Sequence, residues 1–182
     1  MHVAVLGSIR NLAEAAYIFS DVLRLREEGV AESVVFSTWA EQIDRHAAFC
    51  RELERRGVQL VACPPLGGRG HYDPTYPGNL PYQKWQMQNA LRQMPPAGNV
   101  FKTRTDHVIS LHHRVSNVFR RSSCEFLDDT VLVSSANLLR PADMVDLFFA
   151  ASLPLMRNLA RIEIDLVLAS PQIHNAEELW FW

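Results

Sequence analysis

The feature that most constrains the fold is a regular alternation of short apolar runs and helical stretches at the start of the chain. The apolar runs Val3–Leu6, Ser33–Ser37 and Val58–Ala62 have the length of strands. The stretches between them, 11–28 and 38–56, have helical character, and a glycine follows each one. Parallel strands need crossover connections of this kind. The pattern therefore predicts an α/β fold, a mostly parallel sheet with helices on both faces.

Both predicted helices begin with a capping pattern. Asn11 followed by Glu14 predicts the N-cap of the first helix, and Thr38 followed by Glu41 predicts that of the second. The apolar stripe of the first helix is expected to consist of Leu12, Ala15, Ala16, Phe19, Val22 and Leu23.

The segment from Pro64 to Pro81 interrupts this alternation, because it holds half of the prolines and half of the glycines of the chain. A long irregular stretch inside a domain is typical of a functional loop, and we expect a mobile cover over the strand ends. A helix over Tyr82–Met94 and a fourth strand over Asn99–Thr105 follow. Further strands are predicted at Thr130–Ser134 and Ile162–Leu168.

Length and composition exclude several classes of protein. The 182 residues, 48% hydrophobic and 21% charged, are expected to form one short domain spanning 1–182. A net charge of −2 argues against a nucleic-acid binder, and no apolar run is long enough for a membrane span. The three cysteines form no C-x-x-C pair, which predicts reduced thiols and a cytoplasmic protein. The P-loop, G-x-S-x-G and G-x-G-x-x-G motifs are missing from the sequence.

The richest stretch for chemistry is the predicted fourth strand. Side chains alternate along a strand, so Lys102, Arg104 and Asp106 are expected on one face. Burying these charges costs free energy unless they are paired or bind a charged ligand. One interpretation is a phosphate-binding edge where Asp106 holds a divalent cation, because open α/β sheets bind ligands at the carboxyl ends of strands. The other is a ladder of ion pairs without a ligand.

A glycine turn, Gly7–Arg10, follows the first strand. Glycine lets the backbone approach a ligand and a helix N-terminus favours an anion, so Gly7 and Ser8 are candidate phosphate-binding residues. The turn also resembles the opening of flavodoxin-like flavin reductases, which implies a flavin- or nucleotide-binding protein as an alternative. An ordinary tight turn would explain the same residues.

The second strand ends in Ser37–Trp39. Trp39 is suited to stacking on a base, and Ser37 or Thr38 to hydrogen-bonding a nucleoside. The competing interpretation makes Thr38 a helix cap and Trp39 a packing residue.

The order of these pieces resembles that of the WavE-type lipopolysaccharide-biosynthesis proteins, sugar transferases with a nucleotide-diphospho-sugar transferase (GT-A-like) fold. The specific match is the intact Lys-Thr-Arg-Thr-Asp motif, Lys102–Asp106. The remaining matches are Val5–Ile9, Ser37–Trp39, Asn79–Leu91 with Gln83, and Asp146–Ala150. This chain departs from the family at Ala150, where a glycine is usual, and at Leu6–Ser8, which replaces Gln-Gly-Pro.

The resemblance implies a transferase that moves a sugar from a nucleotide-diphosphate donor to a surface-polysaccharide or lipopolysaccharide acceptor. Asp106 would hold Mn²⁺ or Mg²⁺, and Asp146 would be the general base. The complete set of expected nucleotide- and phosphate-binding residues is Gly7, Ser8, Thr38, Gln83, Lys102, Arg104 and Asp106.

The last residues, Leu179–Trp182, include three aromatics, and an apolar patch of this kind favours a homo-oligomer. They lie midway through an amphipathic pattern, so we also expect that an acceptor-binding portion is missing. A catalytically silent binding domain stays open as an alternative to an enzyme.

Overall fold

The computed structural model describes residues 1–64, 80–106, 130–133 and 149–161. Its strands are β1 (His2–Leu6), β2 (Ser33–Trp39), β3 (Gln59–Cys63), β4 (Asn99–Arg104), β5 (Leu132–Val133) and β6 (Phe149–Ser152). Its helices are α1 (Leu12–Glu27), α2 (Ala40–Arg45), α3 (Ala47–Arg55), α4 (Leu80–Leu91) and α5 (Leu153–Ala160).

The strands form one sheet in the order β3-β2-β1-β4-β6-β5. Strands β3, β2, β1 and β4 run parallel to one another, whereas β6 runs antiparallel to both β4 and β5. The predicted α/β class and mostly parallel sheet are confirmed. The order 3-2-1-4 is that of dinucleotide-binding folds, whereas flavodoxin-like proteins have 2-1-3-4-5. The sheet therefore gives no support to the flavodoxin-like alternative.

Helices cover both faces of the sheet, and β1 shows why. Val3 and Val5 belong to a core shared with α1 and α3, while Ala4 and Leu6 belong to a core shared with α4 and α5. Successive side chains of a strand point to opposite faces, so a strand covered on both sides must be apolar throughout. All five residues of β1 are buried.

The first helix begins as predicted, but its buried stripe differs from the expected one. Asn11 Oδ1 accepts hydrogen bonds from the backbone N–H groups of Ala13 and Glu14, at 2.9 and 3.4 Å. Leu12 and Ala16 are exposed, because they lie on the helix side that faces away from the sheet. The buried residues are Ala15, Ile18, Phe19, Asp21, Val22, Leu23 and Leu25.

The predicted start of the second helix is wrong. Strand β2 continues to Trp39, so Thr38 is a buried strand residue instead of a helix cap. The single helix expected up to Arg56 is two helices that meet at His46, and the first has no side-chain cap. The reason is tertiary: pairing of Thr38 with β3 extends the strand and overrides the local capping pattern.

The other elements agree with the sequence in kind and differ in extent. Helix α4 begins and ends earlier than the predicted Tyr82–Met94. The strands β4 and β5 are shorter than predicted, and β6 and α5 were not predicted. The expected strand Ile162–Leu168, the terminus Leu179–Trp182 and most of the loop 64–81 lie outside the described residues. In the part that the structure describes, none of the helices has the length and apolar character needed to cross a membrane.

Candidate functional site

A cavity of about 420 Å³ lies at the carboxyl ends of β1, β2 and β4. Ligand sites in proteins typically measure roughly 300–1,000 Å³, and this edge of an open parallel sheet is where ligands bind. The cavity is lined by Leu6, Gly7, Ser8, Ile9, Arg10, Trp39, Gln42, Arg45, Tyr82, Gln83, Gln86, Arg104 and Asp106.

The turn after β1 is fixed by the end of β4. The Thr105 hydroxyl donates to the Ser8 carbonyl at 2.8 Å, and the Thr105 N–H donates to the Leu6 carbonyl at 3.0 Å. Gly7 has a φ of +118°, and a Cβ there would lie 2.9 Å from Thr105 Oγ1. The glycine is therefore required both by the backbone conformation and by the close approach of β4. Asn11 caps the helix that follows, so the N–H groups of Ala13 and Glu14 are already hydrogen-bonded and not open to an anion.

The charged centre of the site is a bidentate ion pair between Arg104 and Asp106. Arg104 Nε and Nη2 donate to the two oxygens of Asp106, at 2.8 and 2.9 Å. Arg10 Nη1 approaches one of these oxygens at 3.3 Å from the other side. Burial raises the pKa of the Asp106 carboxyl, but the hydrogen bonds and charge of Arg104, with the charge of Arg10, outweigh it and hold the pKa below its ordinary value.

Helix α2 brings a further cation to the cavity. Gln42 and Arg45 are three residues apart and so lie on one face of this helix. Among the described lining residues there are three arginines, Arg10, Arg45 and Arg104, and one carboxylate, that of Asp106. These described residues carry a net positive charge, which favours an anionic ligand.

Helix α4 closes the opposite side of the cavity with Tyr82, Gln83 and Gln86. The Ser37 hydroxyl in β2 donates to the Gln86 backbone carbonyl at 2.8 Å and so ties this helix to the sheet. The rings of Tyr82 and Trp39 meet edge to face, with centroids 5.7 Å apart. The amides on α4 are thus held by a packed helix and not by a loop.

Lys102 is fully buried on the α4 face of the sheet. Its Nζ donates to Gln83 Oε1 at 3.2 Å and lies 4.8 Å from the centroid of the Phe149 ring. Lys102 is not among the residues that line the cavity, but it is hydrogen-bonded to Gln83, which does line it. Its observed place is that of a buried cation that orients Gln83.

Five of the residues predicted to bind nucleotide line one cavity: Gly7, Ser8, Gln83, Arg104 and Asp106. Thr38 and Lys102 do not. Thr38 alternates with Ser37 and Trp39 along β2, so its side chain points to the opposite face of the sheet. Asp146, the predicted general base, lies outside the described residues and stays a prediction.

Four lining residues were not predicted from the sequence: Gln42, Arg45, Tyr82 and Gln86. The signal was available in their spacing. Gln42 and Arg45 follow the end of β2 at a separation of three, and Tyr82 and Gln86 are four apart on a helix. The sequence did not reveal that α2 and α4 both pack beside the same strand ends.

The expected divalent cation finds no complete site among the described residues. Both oxygens of Asp106 are engaged by guanidinium groups, and no group of three His, Cys, Asp or Glu side chains is placed to hold a metal in this part of the chain. A cation there would also lie beside two positive charges. The cation stays a prediction that requires ligands from residues outside the described ranges.

Comparison with protein-family models and with curated protein sequences gave no match to this chain. The resemblance to WavE-type transferases therefore depends on the quoted residues alone, and chiefly on Lys102–Asp106.

Proposed function

We propose that this protein binds a nucleotide-diphospho-sugar in the cavity at the strand ends and transfers the sugar to a saccharide acceptor of a surface polysaccharide or lipopolysaccharide. The observation that carries the proposal is the convergence of Arg10, Arg45 and Arg104 on one cavity at the carboxyl edge of a parallel sheet. One guanidinium group can donate two parallel hydrogen bonds to two phosphate oxygens, which suits arginines to a diphosphate.

The chemistry of sugar transfer explains why such a cluster is useful. When the bond between sugar and diphosphate breaks, negative charge grows on the departing phosphate oxygen. Positive groups already in place stabilise that charge without reorganisation. Two hydrogen bonds to Asp106 hold the Arg104 guanidinium in position before a ligand arrives. No step of this proposal passes through a metal ion, and Asp146 as general base is carried over from the resemblance alone.

Nucleotide binding is tested by thermal shift and calorimetry with uridine, guanosine, adenosine and cytidine diphosphates, each in EDTA and in Mn²⁺. A ligand that binds the folded state raises the melting temperature by mass action. We expect at least one diphosphate to bind, and Arg45→Ala to weaken it about tenfold. Arg51→Ala on α3, an exposed arginine outside the cavity, is the control and should bind like wild type. A protein whose melting temperature no diphosphate raises would remove the proposal.

Transferase activity is separated from silent binding by a second assay. A transferase bound to its donor slowly hydrolyses it even without acceptor and releases the nucleoside diphosphate. The donors that are hydrolysed should therefore carry the same nucleoside diphosphate that binds in the first assay. Tight binding with no release from any donor sugar would favour the binding-domain alternative.

A further inference from the structure

We propose that Gln42 and Gln86 read the base of the nucleotide, an inference that rests on the proposed function. Both side chains are almost fully buried, with 4% and 2% of their surface exposed, and both line the cavity. Within the described ranges, one amide atom of each has no hydrogen-bond partner: Oε1 of Gln42 and Nε2 of Gln86.

Such orphaned atoms are uncommon in folded proteins. Buried polar groups are nearly always hydrogen-bonded, because an unpaired one loses its bonds to water and gains none in return. Here the free acceptor and the free donor belong to two residues that line the same cavity. A ligand that supplies a matching donor and acceptor would remove both penalties at once.

A nucleobase has the required chemistry. Uracil and guanine carry a ring N–H beside a carbonyl, and adenine and cytosine carry an amino group beside a ring nitrogen. Each therefore offers one donor and one acceptor on a flat edge. The aromatic rings of Trp39 and Tyr82 line the same cavity, and aromatic surfaces suit the planar faces of bases. The three arginines would bind the diphosphate of the same ligand.

The two amides are carried by packed elements of the fold. Gln42 lies on α2, which follows β2 directly, and the backbone carbonyl of Gln86 accepts a hydrogen bond from Ser37 at 2.8 Å. Groups on packed elements select ligands more sharply than groups on loops. A site built to hydrogen-bond a ligand also rejects analogues that leave its own polar atoms unpaired.

The test compares pyrophosphate with the four nucleoside diphosphates by calorimetry, in wild type and in Gln42→Leu and Gln86→Leu. We expect wild type to prefer one base over the least favoured by about tenfold or more. Each variant should shrink that preference to about threefold or less while its affinity for pyrophosphate stays within about twofold of wild type. The melting temperature of each ligand-free variant should equal or exceed that of wild type, because leucine removes an unpaired buried amide.

Gln93→Leu, which changes an exposed glutamine just beyond α4, is the matched control and should keep the full base preference. Two results would overturn the inference while leaving diphosphate binding intact. One is a wild-type protein that binds all four diphosphates and pyrophosphate equally, which would show that the amides of Gln42 and Gln86 do not contact the base. The other is an undiminished preference in both variants. Failure of every ligand, pyrophosphate included, would instead remove the proposed function itself.

Discussion

The guanidinium of Arg104 holds both carboxylate oxygens of Asp106, with its Nε 2.8 Å from Oδ1 and its Nη2 2.9 Å from Oδ2. Arg104 closes β4, and Asp106 follows it by two residues. The pair therefore combines two interpretations of the sequence: it is an ion pair at the strand end, and it lines the cavity expected to bind phosphate.

Asp106→Asn distinguishes direct phosphate binding by arginines from binding through a cation. The change removes a competing negative charge but loosens Arg104, and these effects oppose each other. We expect the diphosphate affinity in EDTA to stay within about threefold of wild type by calorimetry. Asp44→Asn, an exposed change on α2 outside the cavity, is the control. Binding that needs Mn²⁺ in wild type and disappears in Asp106→Asn would place a cation on this carboxylate.

Gly7→Ala is expected to destabilise the protein more than Gly29→Ala. Both glycines have positive φ, +118° and +71°. An added Cβ at Gly7 would approach Thr105 Oγ1 to 2.9 Å, whereas nothing lies within 4 Å of a Cβ at Gly29. The Gly29 change should cost about 1 kcal/mol of unfolding free energy for the conformation alone, and the Gly7 change about 2–3 kcal/mol. Equal losses of unfolding free energy in urea denaturation would show that the turn at Gly7 can move to accommodate the added Cβ.

Arg157→Ala should weaken the attachment of α5 to the end of α4. The guanidinium donates to four backbone carbonyls, those of Leu91, Met94, Pro95 and Pro96, at 2.7–3.2 Å. Its loss is expected to cost about 1.5–3 kcal/mol, because hydrogen bonds from a charged donor are stronger than those from a neutral one.

The measurement is again urea denaturation, with Arg51→Ala as the exposed control. Arg157→Lys should recover only part of the loss, since a single ammonium cannot reproduce the planar fork. A full recovery by lysine would mean that charge alone, and not the geometry of the fork, holds the helix end.

His2 predicts a loss of stability on mild acidification. Burial lowers the pKa of its imidazole below the ordinary 6.5 and, with the N-terminal ammonium, outweighs the raising effect of Glu32. As the pH falls below 6.5, His2 is therefore protonated in the unfolded chain, whereas in the folded protein it stays neutral down to its lower pKa. Stability should fall across that window.

In His2→Asn this contribution is missing, so the stability curve should be flatter between about pH 7 and 5 when followed by urea denaturation. Curves that run parallel for wild type and variant over this range would contradict the assignment.

The repeated strand–helix pattern could be predicted because its causes are local. The first helix is bounded by the side chain of Asn11 and by Gly29, and both act within a few residues of themselves. The second helix shows the limit. Its cap was predicted from Thr38 and Glu41, but β3 pairs with Thr38 and keeps it in the sheet. The short strand β6 was not predicted, since it depends on pairing with β4 and β5, which are distant from it in the sequence.

The candidate site divides in the same way. Gly7, Ser8, Arg104 and Asp106 could be predicted because each follows or ends a recognisable strand, and parallel strands bring their carboxyl ends to one edge. Gln42, Gln86 and Arg45 required knowledge of how α2 and α4 pack. Lys102 was assigned to the ligand on its charge, whereas packing places it against Phe149.

By itself the sequence determined the first four strands, their parallel arrangement and the edge of the sheet at which charged residues gather, because periodicity, caps and glycine turns act over a few residues. The tertiary structure decided which strand lies beside which and which side chains share the cavity. Contacts such as that between Thr105 and the Ser8 carbonyl join residues 97 positions apart. They depend on the packing of the whole domain, to which every element contributes and which no local pattern contains.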